Sequence, residues 1–122
     1  MLGKGTMAGF IPTRDASKAR RFYEDVLGFS VVSDNEYVMT LRSGTETILL
    51  QKVSDFKPLG RTILGWEVRG IRDVVIALAQ RGAEFMRVEW MEQDELGIWT
   101  SPDGKVAWFK DPDCNTLSVA EH

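Results

Sequence analysis

The chain closes two helical runs in the same way, and that repetition limits its fold more than any other feature. "RDASKARRFYEDVLGF" places Ala16, Ala19, Phe22, Tyr23, Val26 and Leu27 at helical spacing and stops at Gly28; "IRDVVIALAQRG" places Ile71, Val74, Val75 and Leu78 on one face and stops at Gly82. One strand-like stretch precedes each run, and several short ones follow it. The order of elements therefore reads as two βαβββ modules in a single 122-residue domain, about 1–57 and 58–122, of the α+β class. One such module leaves a half-buried, curved mixed sheet without a partner. Two side by side would bury those faces, with flanking helices, and leave a cleft as the expected place for chemistry.

In the first module "MAGFIPT" (7–13) reads as a strand, with Pro12 placing part of it near an edge, and Asp15 or Ser17 is the helix N-cap. "FSVVSD", "YVMTLRS" and "ETILLQKV" follow as strands separated by Asp34-Asn35 and Ser43-Gly44. In the second module "RTILGWEV" (61–68) reads as a strand and Asp73 as the cap of its helix. "EFMRVEW" reads as the next strand, and beyond an acidic insert "GIWTS", "KVAWFK" and "TLSVAE" give three more around Pro-Asp turns at 102–103 and 112–113.

The bulk numbers exclude several functions. At 43% hydrophobic and 27% charged, the chain has the composition of a folded globular domain. A formal charge of −3 with scattered Lys and Arg gives no field for gripping phosphates, so no nucleic-acid partner is expected. No apolar stretch approaches a membrane span, and "MLGKGTMAGF" lacks the apolar segment of a secretory signal, which makes the cytoplasm the expected location. One cysteine, Cys114, allows neither an internal disulfide nor a thiolate zinc cluster. The one histidine, His122, is the last residue, where chains usually fray, so no imidazole-dependent nucleophile is expected.

Taken together, "ASKARRFYEDVLGF", "ILGWEV" and "FKDPDCNTLSV" resemble the glyoxalase/bleomycin-resistance/extradiol-dioxygenase superfamily, also called vicinal oxygen chelate. The most specific pieces are the helix end Phe22–Phe29 and the turn Asp111–Asn115. The resemblance implies paired βαβββ modules around a curved cavity, and in the family's enzymes a divalent metal held by side chains from the first and last strands of each module. Carried over one position at a time, the ligands fall at Ala8, at Ile63, at Ser118, and at one of Leu49, Leu50 or Gln51. A methyl, a sec-butyl and a hydroxyl stand where imidazole or carboxylate is needed. The expectation is a relative without the family's metal, with no cofactor and without its lyase and dioxygenase chemistries.

Other residues are candidates for holding a ligand. Trp66, Trp90, Trp99 and Trp108 all lie in the second module, and an indole offers a flat apolar face with one N–H donor. Trp66 and Trp108 sit in strand-like runs, as core or as cavity wall; Trp90 and Trp99 flank the acidic insert, where Glu92, Asp94 and Glu95 could attract a cationic aromatic guest or simply keep a loop soluble. Tyr37 and Met39 are expected to share a strand face lining the first module's side of the cavity, or its core. Cys114 occupies a turn position suited to glycine. If its φ is positive it costs about 1 kcal/mol, and it is otherwise read as a neutral substitution.

Three functions compete. The first is a metal-free protein that sequesters a small, partly aromatic molecule in the cleft. The second is an enzyme of the same superfamily, lyase, isomerase or dioxygenase-like, using non-standard groups such as Glu67 and Ser118. The third is an interaction module whose aromatic surface joins subunits. A homodimer is expected under any of them.

Overall fold

The alternation of apolar residues on the last strand of each half anchors its sheet. The computed structural model describes residues 1–122, and the chain forms two compact units, Met1–Lys57 and Pro58–His122. A single 3₁₀ turn, Leu2–Lys4, precedes the first strand.

The first unit comprises β1 (Ala8–Thr13), α1 (Ala16–Arg21), β2 (Ser30–Asp34), β3 (Val38–Ser43) and β4 (Glu46–Lys52), with sheet order β1-β4-β3-β2. Strand β1 runs parallel to β4, and the other pairs are antiparallel. The register puts Ile11 opposite Leu50 and Met39 opposite Leu50, so all three share the buried face with Leu41 and Ile48. Asp15 caps α1 by accepting from the Lys18 N–H at 3.1 Å. The helix then widens into a π-helical turn, Phe22–Val26, which ends at Gly28 with φ +80° and a Phe29 N–H to Tyr23 carbonyl bond of 2.8 Å. That closure turns Phe22, Tyr23 and Phe29 inward: Tyr23 is fully buried, 5.3 Å from the Phe22 ring edge-on and 5.6 Å from Phe29.

The second unit comprises β5 (Thr62–Glu67), α2 (Ile71–Gln80), β6 (Trp99–Ser101), β7 (Gly104–Lys110) and β8 (Thr116–Glu121), with sheet order β5-β8-β7-β6. Strands β5 and β8 are parallel, the rest antiparallel. Leu117 and Val119 on β8 share the buried face with Ala107 and Phe109 of β7, and Ile71 and Val75 of α2 are buried with them. Each unit thus has the order βαβββ with one mixed four-stranded sheet.

Two expectations for this unit are corrected. "EFMRVEW" is not a strand. It makes one bridge, Phe85 with Phe109, and one bond from the Met86 N–H to the Trp108 carbonyl. The Gln93 side-chain amide satisfies much of the remaining backbone: it accepts from the Val88 N–H at 2.8 Å and donates to the Met86 and Gly97 carbonyls at 2.9 Å each. The free edge of β7 is instead taken by β6. Nor does Asp73 cap α2. The N-cap is Gly70 (φ +68°), and the two oxygens of Glu121 accept from the N–H groups of Gly70 and Ile71 at 2.9 and 3.0 Å. A carboxylate brought from the end of β8 does the work of a local cap and also meets the positive end of the helix dipole.

The Asp111–Asn115 turn between β7 and β8 is closed by its own polar groups. Asp111 Oδ1 accepts from the N–H groups of Asp113 and Asn115, and Asn115 Nδ2 donates to Asp111 Oδ2, each at 2.9 Å. Cys114 is exposed and its φ is +66°, the left-handed region that favours glycine.

Two outcomes are expected. Cys114→Gly relieves that backbone conformation and stabilises the fold by about 1 kcal/mol in urea unfolding. The bonds from Ile71 and Gly70 hold the Glu121 carboxyl below its ordinary value near 4.5, so its contribution is present above that pH and is lost as pH falls through the lower, folded-state value. Glu121→Gln therefore lowers the melting temperature at pH 7 by a few degrees, and the gap from wild type closes as the pH drops well below 4.5.

Candidate functional site

The sheet of each unit has one buried face and one outer face, and the register decides which side chains the outer face presents. In the second unit a row runs from Gly65 on β5 through Ser118 on β8 to Trp108 on β7. The next row is Glu67, Ala120, Val106 and Trp99. Trp99 and Trp108, adjacent on this face, have ring centroids 6.2 Å apart and planes inclined by 36°. Both are partly exposed. Two indoles side by side, their planes tilted, thus border a strip of glycine, alanine and serine on this face.

The other two tryptophans are elsewhere. Trp66 shares the buried face with Val119 and stacks on Phe109 at 6.3 Å, with an interplanar angle of 24°. Trp90 lies in a turn and is 82% exposed. Sequence spacing along β5 already separates Trp66 from Glu67; what it could not give was the register that unites Trp99 with Trp108.

The acidic insert is bound into the fold. Asp94 Oδ1 accepts from the N–H groups of Leu96 and Ile98 at 2.9 Å. Arg72 on α2 pairs with Glu95 at 2.8 Å and approaches Asp94 at 3.9 Å, and Arg87 donates to the backbone carbonyls of both residues. The Arg72 hydrogen bond holds the Glu95 carboxyl below the usual carboxylate range. Two of the three insert carboxylates thus already face a guanidinium, and only Glu92 is left as an exposed charge without a cation beside it.

The carboxylate that does share the tryptophan face is Glu67. His122 is held against it rather than frayed: its Nδ1 is 2.8 Å from both Glu67 oxygens, and its N–H donates to Oε1 at 3.1 Å. This hydrogen bonding keeps the Glu67 carboxyl below its ordinary value. A carboxylate so stabilised is a weaker base than a free one, the reverse of the shift a general base at neutral pH requires.

In the first unit Tyr37 and Met39 part company. Asn35 Oδ1 accepts from the N–H groups of Tyr37 and Val38, which puts Tyr37 in the turn before β3. Tyr37 is 72% exposed, whereas Met39 is buried at 2% on the core face. The outer face here carries Ala8, Phe10, Thr47, Leu49 and Gln51; the register pairs Ala8 with Thr47 and Phe10 with Leu49. Leu50 points to the core and is fully buried, which removes it from the three last-strand candidates.

These placements test the fit of a divalent metal at the positions named by resemblance. The first unit offers Ala8 with Leu49 or Gln51; the second offers Ser118 and Ile63, the latter at a register irregularity between Thr62 and Leu64. In neither unit do these side chains make a donor set for such an ion: the first has hydrocarbon and at most one neutral amide, the second hydrocarbon and a hydroxyl. No group of three or more His, Cys, Asp or Glu side chains is arranged to hold a metal elsewhere. No helix is long and apolar enough to cross a membrane.

Comparison with known proteins bears on the same fold. No curated protein matches the chain. Among solved structures, a member of the glyoxalase/bleomycin resistance protein/dioxygenase superfamily from Sphaerobacter thermophilus is similar over all of both chains, with a TM-score of 0.76 and 22% identity. TnmS3, an antibiotic binding protein from Streptomyces sp. CB03234, is similar over 99% of this chain and 98% of its own, at 0.75 and 19%. A lactoylglutathione lyase from Agrobacterium tumefaciens is similar over 97% and 93%, at 0.72 and 14%. At such identities the likeness speaks for the fold, which a binding protein and an enzyme share. Residues 6–119 match the Glyoxalase/Bleomycin resistance protein/Dioxygenase superfamily, and the chain belongs to that family.

Proposed function

We propose that this protein is a metal-free receptacle: it binds a small, partly aromatic molecule against the outer face of the second unit's sheet and releases it unchanged. The observation that carries this reading is the Trp99–Trp108 pair, set beside Ser118 and Gly65 on one face. Indole faces attract planar rings through dispersion and offset stacking, and they need no metal to do so. The non-ligating side chains at Ala8, Ile63 and Ser118 support the same reading, as does the antibiotic-binding role of TnmS3, a neighbour in fold. Against catalysis by Glu67 stands its hydrogen bonding to His122, which favours the ionised, weakly basic form.

The same proposal includes a cytoplasmic homodimer. Exposed apolar side chains, Phe10 at 57%, Val32 at 55% and Trp90 at 82%, support an association of copies. If Trp90 serves that association, Trp90→Ala shifts the protein from dimer to monomer in sedimentation and leaves ligand affinity intact; loss of ligand affinity with unchanged size would instead make Trp90 part of the binding surface.

The ligand reading is tested by tryptophan fluorescence. Titration with planar aromatic compounds should quench the emission saturably, with the same midpoint in the presence of EDTA. Trp108→Leu should weaken binding about tenfold, consistent with loss of a stacking partner and its buried area. Stoichiometric zinc, iron, nickel or manganese in protein purified without chelator, or chelator-sensitive turnover of any bound compound, would overturn it.

A further inference from the structure

Ser118 is mostly covered, yet its hydroxyl is left available. The residue has a relative exposure of 8%, and its hydroxyl takes part in none of the hydrogen bonds that join the fold. No side-chain N or O atom of the chain is both sealed from solvent and without a partner, so the Ser118 hydroxyl keeps its opening on the outer face, where a ligand atom can replace water. Its surroundings show where the hydroxyl is aimed. Ser118 lies opposite Gly65 on β5, and a methyl group built on Gly65 would come within 2.9 Å of Ser118 Oγ. The hydroxyl therefore reaches over the bare backbone of Gly65, into the space that any other residue's Cβ would fill. On its other side Ser118 is the register partner of Trp108.

Building on the ligand reading above, we propose that Ser118 Oγ is the polar recognition group for the ligand, that Gly65 supplies the gap in which the recognised atom sits, and that Trp108 carries the attached ring. The ligand class that fits is a planar aromatic bearing a hydrogen-bonding heteroatom at its edge: a ring nitrogen, a phenolic oxygen or a ring carbonyl. A hydroxyl both donates and accepts, so it serves each of these. The heteroatom settles over Gly65 within hydrogen-bonding distance of Ser118 Oγ while the ring extends over Trp108. A purely hydrocarbon ring stacks equally well and leaves the hydroxyl unpaired. Gly65 and Ser118 thus set selectivity, and the indoles set general affinity for flat apolar surface. The strand position that resemblance assigned to a metal ligand here addresses an organic heteroatom.

The test compares quinoline and 2-naphthol with naphthalene, which has the same ring area and no heteroatom, by fluorescence titration of the full chain. In wild type the two heteroatom-bearing probes bind more tightly than naphthalene. Ser118→Ala weakens them roughly five- to tenfold and leaves naphthalene unchanged. Ser118→Thr, which keeps the hydroxyl, restores much of the preference. Gly65→Ala abolishes the preference by filling the gap. Because the hydroxyl bonds to nothing in the fold, Ser118→Ala also leaves the urea midpoint unchanged or raises it. Probes that bind equally well to wild type and Ser118→Ala would overturn this assignment while the ligand reading stands; so would a marked loss of stability in Ser118→Ala. Failure of all three probes to bind would sink both.

Discussion

Strand β8 is the member on which the second unit depends. It lies between β5, to which it runs parallel, and β7, to which it runs antiparallel, and it bonds to both. Its period of two sends Leu117 and Val119 into the core, at 0% and 2% exposure, and sends Ser118 and Ala120 to the outer face. A slip of one residue would exchange these sets, burying a hydroxyl among Phe109, Val75 and Ile71 and exposing two aliphatic side chains. The hydrophobic demand for Leu117 and Val119 is thus what fixes Ser118 beside Gly65 and Trp108. The strand's last residue but one, Glu121, closes α2, so the same element holds sheet, helix start and candidate site in place.

Much of this was legible in the chain. The helix end at Gly28 and the N-cap at Asp15 follow from local chemistry, because the groups that satisfy the backbone lie within a few residues. The order βαβββ, repeated, follows for the same reason. What could not be read were the contacts between residues distant in sequence. Glu121 caps a helix 50 positions away, so Asp73, the nearer carboxylate, took its place in the reading. Gln93 bonds the backbone at Met86, Val88 and Gly97, so a run with the composition of a strand meets β7 only at Phe85 and Met86 and builds no continuous ladder.

The candidate site shows the same division. Residue types named the tryptophans, Ser118 and Glu67, but a strand's register is not written in its own residues. The pairs Trp99 with Val106 and Trp108 with Ser118 bring two of the four indoles to one face; the Trp66 pairing with Val119 sends a third to the other. Charge was misleading in a related way. Glu92, Asp94 and Glu95 look like an attractive patch in one dimension, yet Arg72 comes from α2 to pair with Glu95, and Arg87 of the irregular segment bonds the backbone carbonyls of Asp94 and Glu95. The histidine was set aside because of its position, and its ring is nonetheless held by Glu67, 55 positions earlier.

Magnitudes separate the roles of these groups. An aromatic ring buries about 150–250 Å². At about 25 cal/mol per Å², that is worth about 4–6 kcal/mol. Losing the freedom of the unbound ligand costs at least about 4 kcal/mol, so one ring on one indole does little more than offset association. Offset stacking adds about 1 kcal/mol, and a hydrogen bond to a neutral hydroxyl about 1 kcal/mol more. Affinity on this face must therefore come from apolar area, which grows with each fused ring laid across Trp108 and Trp99. Discrimination comes from the hydroxyl, since hydrocarbon and heteroaromatic rings present nearly equal area and differ mainly at Ser118. A metal at this position would have reversed that order, with charge supplying the affinity and the pocket walls the selectivity; with a serine there, the indoles hold the ligand and the hydroxyl chooses it.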